Sequence, residues 1–442
     1  MLRLAQICLI TEIILAPLML GGARPWAMAI LSILTGAGLL AIAAQSRPLN
    51  INRYVILLWV FVLVLIGWAI LQSLPVWPMQ SYPFDAPHIA LYPDAWMELA
   101  VNLIWLAATI TLASLIAQSR PDTWVGLVVK SIIAACCLQL ILAAINDVLG
   151  WQTTFWFAKT AHVGDWTGSF ANRNGFGALM ATGLVACLYL FARNPAQNIG
   201  RRMDQAGGYL ALAILFGLAI VQSHSRSAIA ITLIAAILFI TLSGAPDWRS
   251  IAKRLAITIT GAAGVIALLI LTQPDLANRF AELVRLDLIQ RDDALATALL
   301  AIQDRPLTGF GPDSVALIMG HFATPGLNAN THWFSSHNLW LDAALSFGLP
   351  ALVAIFASAM IAAVFLIRST TCRPDRALVI ALIAMVIVSS AVGWVISLPA
   401  LVLPVAILLI AVLEAGLEQH AVSPAHADHT AQSPVPDQAI LH

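Results

Sequence analysis

The sequence predicts an all-α, polytopic membrane protein with about twelve transmembrane helices and a long outward loop between spans 9 and 10. Of the 442 residues, 60% are hydrophobic and only 10% are charged, whereas soluble domains carry roughly 25% charged residues. Backbone groups in lipid must be hydrogen-bonded internally, so the apolar runs are expected to be helices. The formal net charge of zero gives no indication of a nucleic-acid partner.

Apolar runs of about 20 residues, each long enough to cross a bilayer as a helix, recur along the chain. The predicted spans are 4–22, 26–44, 54–74, 98–118, 124–145, 174–192, 207–223, 227–243, 254–272, 338–367, 375–395 and 398–417. The first run could instead be a signal peptide, but Glu12 and the lack of a small-x-small cleavage site favour a transmembrane helix.

Basic residues predict the orientation of the spans, because cytoplasmic loops carry an excess of Lys and Arg. Such residues recur in alternate loops, whereas the loop 75–97 has no Lys or Arg at all. We therefore expect both termini in the cytoplasm. The loops that then face outward are 75–97, 146–173, 224–226 and 273–336.

The chain divides into a membrane helix bundle, 1–417, and a cytoplasmic tail, 418–442, that we expect to be disordered. The tail is rich in Ala, His, Pro, Ser and Gln and has no apolar period. Its four histidines are poor metal-ligand candidates, since a disordered tail does not preorganise ligands. The five cysteines show no metal-ligand or redox spacing.

The outward loop 273–336 carries most of the polar residues that could do chemistry. Its segment Asn278–Asp304 is amphipathic, with Leu295, Leu299 and Ile302 among the apolar positions at helical spacing. The whole loop carries four arginines, although each could simply be solvated: Arg279, Arg285, Arg291 and Arg305. The loop ends at His337-Asn338, where the next apolar run begins, so a titratable imidazole is predicted at the water–membrane boundary.

Two further outward elements open predicted spans. Arg226 lies between Ser225 and Ser227 and either extends to the lipid headgroups or binds an anion, since guanidinium pairs bidentately with phosphate. Asn172 and Asn174 precede the sixth span and either cap that helix or contact a ligand.

Taken together, these elements resemble the O-antigen ligase family, over about residues 165–355. The stretch from Gly168 to Asn174 resembles the family's G-x-F-x-N-x-N motif, and Ser225-Arg226-Ser227 resembles its S-R motif. Residues 291–311 resemble its pattern of an arginine, an amphipathic helix and P-x-x-G-x-G. His337-Asn338, nine residues and Gly348 resemble the ligase signature, which this chain leaves three residues later, where Ala351 replaces Gly, Thr or Tyr.

The resemblance implies a metal-independent glycosyltransferase without a cofactor, at the periplasmic face of the bacterial inner membrane. The implied donor is a glycan on undecaprenyl diphosphate. The implied acceptor is the saccharide of lipid A–core for a ligase, or a growing polysaccharide for a polymerase. No Asp-x-Asp motif or His/Cys cluster occurs in the outward loops, in agreement with metal independence.

We predict His337 as the general base, and Arg226 and Arg291 as catalytic groups that stabilise the diphosphate. His224, His321 and His332 are competitors for the role of base. The predicted substrate-binding residues are Asn338, Arg285, Arg305, Asn172 and Asn174.

Two other classes of function, a transporter and a membrane scaffold, are also compatible with a chain of many spans. A transporter or flippase of lipid-linked sugars also has many spans, but it keeps polar groups near the bilayer midplane. Only Glu12, Lys130 and Asn102 stand out there, and no internal repeat is visible. A membrane scaffold would not need a basic outward loop. The clustering of polar residues on one side therefore favours an interfacial enzyme.

Overall fold

The apolar runs of the sequence form helices in the computed structural model, which describes residues 1–45, 50–76, 79–81, 84–196, 198–245, 247–272, 291–327 and 333–427. Fifteen α-helices lie in this part of the chain: α1 (Leu2–Leu18), α2 (Pro25–Ala43), α3 (Arg53–Ser73), α4 (Trp96–Ser119), α5 (Pro121–Val148), α6 (Arg173–Arg193), α7 (Ile199–Gln222), α8 (Arg226–Leu242), α9 (Trp248–Thr272), α10 (291–304), α11 (Val315–His321), α12 (Leu339–Phe347), α13 (Leu349–Ser369), α14 (Arg373–Val392) and α15 (Pro399–Ala427).

The predicted all-α membrane fold is confirmed. Nine of the described helices are long and apolar enough to cross a membrane: α2, α3, α4, α5, α6, α7, α13, α14 and α15. The other three predicted spans correspond to α1, α8 and α9. The helices α1 and α8 have 17 residues each, which is about the shortest length that crosses the hydrocarbon core.

Three features differ from the predictions. The run 338–367 is two helices, because Gly348 adopts φ +83° between α12 and α13. The loop 75–97 contains an antiparallel pair of strands, β1 (Met79–Ser81) and β2 (Phe84–Ala86), near Pro83, a residue type that disfavours helix. The helix α15 continues to Ala427, through part of the tail predicted as disordered, since Glu, Gln and Ala there favour helix.

The helix α6 lies at the centre of the bundle and packs against α5, α7, α8 and α14. It shares with α15 the largest buried fraction of any candidate span, 72%. The helix α8 packs closely against α14, and α12 contacts both α13 and α14. The N-terminal ends of α6, α8 and α12 and the C-terminal end of α14 meet at one pocket.

A second, smaller apolar core lies outside the bundle and joins α10, α11 and α12. It is built around Phe310, Ile318 and Leu345, and on α10 it buries a face of alanines at 294, 298 and 301. The predicted apolar face is partly wrong: Leu295 and Leu299 are 43% and 45% exposed, although Ile302 is buried. Alanines permit a closer approach of helix backbones than leucines do, so the small face packs inward.

Buried carboxylates inside the bundle have local partners. Glu12 accepts a hydrogen bond from Thr35 at 2.9 Å. Glu414, in α15, accepts hydrogen bonds from Tyr54 and from Ser114, the latter at 2.6 Å. Both side chains therefore link helices.

Candidate active site

The N-terminus of α6 is fixed by its own asparagines. Asn172 caps the helix by accepting a hydrogen bond from the backbone N–H of Asn174 at 2.7 Å. The preceding loop is anchored by Ser169, whose hydroxyl donates to the carbonyl of Pro17 at 2.7 Å and whose N–H donates to Gln139 at 2.9 Å. The predicted capping role of Asn172 is therefore present, and it orients the rest of the motif.

The N-terminus of α8 is bonded directly to this motif. The Ser225 hydroxyl donates to Asn174 Oδ1 at 2.7 Å and also caps α8 by accepting from the N–H of Ala228. A Cβ on Gly177 would lie 2.5 Å from the Cβ of Ala228, so only glycine permits this approach of α6 and α8. As a result, Arg226 begins its helix beside Asn172 and Asn174.

An ion-pair cluster that sequence reasoning missed lies behind these two helix ends. Asp165 pairs with Arg173 at 2.9 Å and with Nδ1 of His224 at 2.7 Å. Burial raises the pKa of Asp165, but the hydrogen bonds from His224 and Arg173 outweigh burial and hold it below its usual range. His224, a competitor for the role of base, is therefore bound to a carboxylate that stays ionised.

The loop before α12 is held in one conformation by Asp342, on the first turn of that helix. Asp342 accepts hydrogen bonds from the Ser336 N–H at 2.8 Å and from the Ser336 and Ser335 hydroxyls. The Ser335 hydroxyl in turn accepts from the N–H of His337 at 3.0 Å. This turn holds His337 at φ +59°, a conformation that is uncommon for a residue other than glycine.

Asn338 fixes the start of the helix after His337, and Trp333 contacts the imidazole. Asn338 caps α12 by accepting from the N–H groups of Trp340 and Leu341 at 3.0 and 3.2 Å. The ring of Trp333 stands edge-on to the imidazole, with 5.6 Å between ring centroids. Among the described residues, no side chain hydrogen-bonds the ring nitrogens of His337, which leaves them available to a substrate.

Burial and two nearby charges act on the pKa of His337. Burial lowers the pKa of His337, the nearby positive charge of Arg291 lowers it further, and Asp342 acts in the opposite direction. Arg291 also acts electrostatically on Arg226, together with Arg173. Arg291 is therefore close enough to influence both other residues predicted as catalytic.

A pocket of about 340 Å³ lies where these elements meet. Three residues predicted for the site line it, together with Ser227 and with residues at the C-terminal end of α14 and beyond: Asn172, Asn174, His337, Ser227, Ser389 and Trp394.

Comparison with known proteins gives a family for this region. The O-antigen ligase family model matches residues 211–356. The chain carries an O-antigen ligase family domain. The matched segment contains Arg226, Arg291, His337 and Gly348, whereas the asparagines of α6 lie before it. No curated protein matches the chain. The family supports a ligase- or polymerase-type membrane glycosyltransferase.

In the structure, two residues predicted for the site, Arg305 and His321, do not line the pocket. The side chain of Arg305 is 1% exposed. Its guanidinium donates to the carbonyl of Ile89 at 3.2 Å and lies 4.8 Å from the ring centroid of Phe310. Arg305 thus packs inside the outer core, which argues against the predicted contact with phosphate. His321 lies at the end of α11 against Phe322.

Arg285 and His332 lie outside the described residues, so their predicted roles stay predictions. Asp342 and Asp165 were missed, since the first lies inside an apolar run and the second just before a motif. In the described part of the chain, no three His, Cys, Asp or Glu side chains come together as a metal site.

Two motifs of the O-antigen ligase domain dock against each other through their backbones. The N–H groups of Phe310 and Gly311 donate to the carbonyls of Leu345 and Ser346 at 2.7 and 2.9 Å, and the N–H of Leu349 donates to the carbonyl of Pro306 at 2.8 Å. This seam fixes α10, whose described part runs from Arg291, against α12, which follows His337.

Proposed function

We propose that the protein is a glycosyltransferase that moves a glycan from undecaprenyl diphosphate to an acceptor saccharide, at the periplasmic face of the bacterial inner membrane and without a metal. The observation that carries this proposal is the pocket in which His337 meets the N-termini of α6 and α8. Arg291 acts electrostatically on both His337 and Arg226, which supports a site with one base and two cations.

The proposed reaction is a displacement at the anomeric carbon of the donor, with diphosphate as the leaving group. The bond between the anomeric carbon and the diphosphate oxygen breaks, and its electron pair leaves with the diphosphate. The acceptor hydroxyl oxygen forms the new glycosidic bond from the opposite face, which inverts the anomeric centre. The hydroxyl proton passes to the imidazole of His337, acting as general base.

The two arginines neutralise the charge that develops on the leaving group. Guanidinium remains charged at physiological pH and binds phosphate oxygens bidentately. Cations fixed in place before the reaction stabilise a transition state without reorganisation. Arg226 begins a helix whose N-terminal backbone dipole also favours an anion.

The lowered pKa of His337 supports its proposed role as a base. Only an uncharged imidazole accepts a proton, and both burial and Arg291 favour that state. Asp342 fixes the turn that presents the ring and limits how far its pKa falls. The same positive charge of Arg291 would thus stabilise the leaving diphosphate and keep the base unprotonated.

A polymerase of the same superfamily is the second candidate, because Ala351 stands where the ligase signature has Gly, Thr or Tyr. Both reactions need the same donor chemistry. They differ in the acceptor, which is lipid A–core for a ligase and another glycan chain for a polymerase.

The test is a transfer assay with purified protein, an undecaprenyl-diphosphate glycan and separate acceptors. His337→Ala is expected to lose roughly 10²–10⁴-fold in rate, the usual contribution of a general base. Arg226→Ala and Arg291→Ala should also be impaired. Arg24→Ala, an exposed arginine on the predicted outward side, is the control and should keep full activity.

The products of the transfer assay distinguish a ligase from a polymerase. A single transfer to lipid A–core indicates a ligase, and a ladder of products from donor alone indicates a polymerase. Unchanged transfer by His337→Ala would overturn the mechanism. Movement of the donor across the membrane with no new bond would replace the proposal by the transporter alternative.

A further inference from the structure

A second pocket, of about 250 Å³, lies between the C-terminal end of α5 and the loop that leads to α6. This volume includes space open to solvent, so a ligand bound there would stay in contact with water. Its lining shares no residue with the pocket at His337 and includes Asn146, Trp151, Gln152, Asp165, Trp166 and Thr167.

The walls of this pocket are formed in advance by hydrogen bonds. Asn146 Nδ2 donates to the carbonyl of Thr153 at 2.8 Å, and Gln152 Oε1 accepts from the N–H of Gly164 at 3.0 Å. Lys159 Nζ donates to the carbonyl of Asp165 at 2.7 Å. The loop is thus tied to itself and to α5, and a ligand would meet an ordered surface.

One polar group in the wall lacks a partner. Thr167 is 1% exposed, and its hydroxyl makes no hydrogen bond to any described residue. Burying a hydroxyl without a hydrogen bond is costly, so such groups in folded proteins usually have a partner. Because Thr167 lines the pocket, a ligand hydroxyl is a suitable partner.

The chemistry of the lining fits an uncharged sugar better than a phosphate. Lys159 is a lining cation, and two lining carboxylates, Asp165 and Asp147, act on it electrostatically. Side-chain amides both donate and accept hydrogen bonds, as sugar hydroxyls do. Trp151 is 53% exposed, so its ring offers an apolar surface to the C–H face of a pyranose.

We propose that this pocket is a saccharide subsite that binds one sugar ring of a glycan whose reacting end lies at His337, an inference that rests on the proposed glycosyltransferase function. The two pockets are neighbours along the chain and in space. Asp165 of the subsite is ion-paired to Arg173, which lies between Asn172 and Asn174 of the reaction pocket. A glycan of two or more units could therefore occupy both.

The experiment measures binding apart from turnover. Saturation-transfer NMR is recorded on the full chain in lipid nanodiscs, with methyl glucoside and methyl N-acetylglucosaminide as probes. The proteins are wild type, His337→Ala, Trp151→Ala and Thr167→Val. The control is Phe157→Ala, which removes an exposed aromatic ring of the same loop that does not line the pocket.

We expect saturation transfer to at least one probe with wild type, His337→Ala and Phe157→Ala, and at least a fivefold weaker signal with Trp151→Ala and Thr167→Val. Equal signals from all five proteins, or no signal from wild type, would overturn the subsite. If the wild-type protein binds sugar at the subsite but shows no transfer activity, only the proposed glycosyltransferase function is refuted.

Kinetics then identify which glycan occupies the subsite. If it holds the acceptor, Trp151→Ala raises the acceptor KM and leaves kcat and the donor KM unchanged. If it holds a sugar of the donor, the donor KM rises instead. Unchanged KM values for both substrates in Trp151→Ala would overturn the placement of a substrate glycan there.

Discussion

His337 lies between charges of opposite sign. Arg291 lowers the pKa of its imidazole and Asp342 raises it, while burial, the largest influence, also lowers it. A general base is most useful when it is neutral at the working pH yet still basic enough to accept a proton. The pair of charges therefore tunes the residue on which the proposed mechanism depends.

This balance predicts the pH dependence of transfer. Activity should rise with pH through the pKa of His337, since only neutral imidazole accepts a proton. Arg291→Gln removes a charge that lowers that pKa, so the acidic limb of the profile should move to higher pH. Asp342→Asn removes a charge that raises it, so the limb should move to lower pH. The measurement is kcat/KM for transfer against pH.

Asp292→Asn is the matched control, because Asp292 is an exposed carboxylate next to Arg291 in sequence and does not act on His337. Its profile should coincide with that of wild type. If Arg291→Gln and Asp342→Asn move the acidic limb in the same direction, the limb does not report the pKa of His337, and another group is the base.

Single residues show which features of the candidate site can be predicted from the sequence and which cannot. The capping by Asn172 and Asn338 was predictable, because capping depends on residue type and on a helix start nearby. Arg305 looked like a phosphate ligand, since a motif does not show whether its side chain turns inward to a carbonyl such as that of Ile89. Asp342 was missed because it lies among apolar residues, and its clamp on Ser335 and Ser336 exists only once the turn is folded.

At the scale of the elements, two glycines explain how two motifs dock against each other. A Cβ on Gly309 would lie 2.7 Å from the backbone of Gly348, and a Cβ on Gly348 would overlap the carbonyl of Leu307. Both glycines also have positive φ, +63° and +83°. Their close approach joins the end of the turn after α10 to the break between α12 and α13, and so sets Arg291 relative to His337.

Gly348→Ala should therefore destabilise the protein. Strain at a backbone conformation suited only to glycine costs roughly 1–3 kcal/mol, and the overlap with Leu307 adds to it. We expect thermal unfolding of the purified protein in detergent to begin several degrees lower, together with weaker transfer activity.

The matched control is Gly67→Ala in α3, where an added Cβ has no neighbour within 4 Å. Alanine favours helix more than glycine does, so the unfolding temperature should stay the same or rise slightly. Equal unfolding temperatures for wild type and Gly348→Ala would show that the seam contributes little to stability.

The sequence contains a signal for the helix break at Gly348. Gly348 followed by Pro350 is a pattern typical of one helix ending and another beginning, and Pro350 does lie in the first turn of α13. The apolar character of 338–367 masked that signal, because hydropathy measures burial in lipid and not helix continuity. The contact across the seam could not be predicted, since it joins backbone atoms that carry no side-chain signature.

At the scale of the whole molecule, the candidate site lies at one end of the bundle. The N-termini of α6, α8 and α12 and the C-terminal end of α14 all contribute to the reaction pocket. An aromatic patch lies on the same end, where the indole of Trp156 donates to the carbonyl of Leu18 at 2.6 Å and packs edge-on against Trp26. Exposed Trp rings are enriched at membrane–water interfaces, so this patch is expected to lie at headgroup level.

The orientation of this end decides whether the proposed donor can reach the site, and cysteine labelling tests it. Thr160→Cys is an exposed position near the subsite, and Asp204→Cys is an exposed position at the opposite end, at the start of α7. Both are made with Cys137 and Cys372 replaced by Ser, because these two native cysteines are partly exposed. The reagent is a membrane-impermeant maleimide applied to spheroplasts.

We expect the cysteine at position 160 to be labelled in intact spheroplasts and the cysteine at position 204 only after detergent is added. The reason is the excess of Arg near the start of α7, which includes Arg201 and Arg202 and keeps that end in the cytoplasm. The reverse pattern would place His337 and both pockets in the cytoplasm. The proposed transfer at the periplasmic face would then be excluded, even if the chemistry of the site were correct.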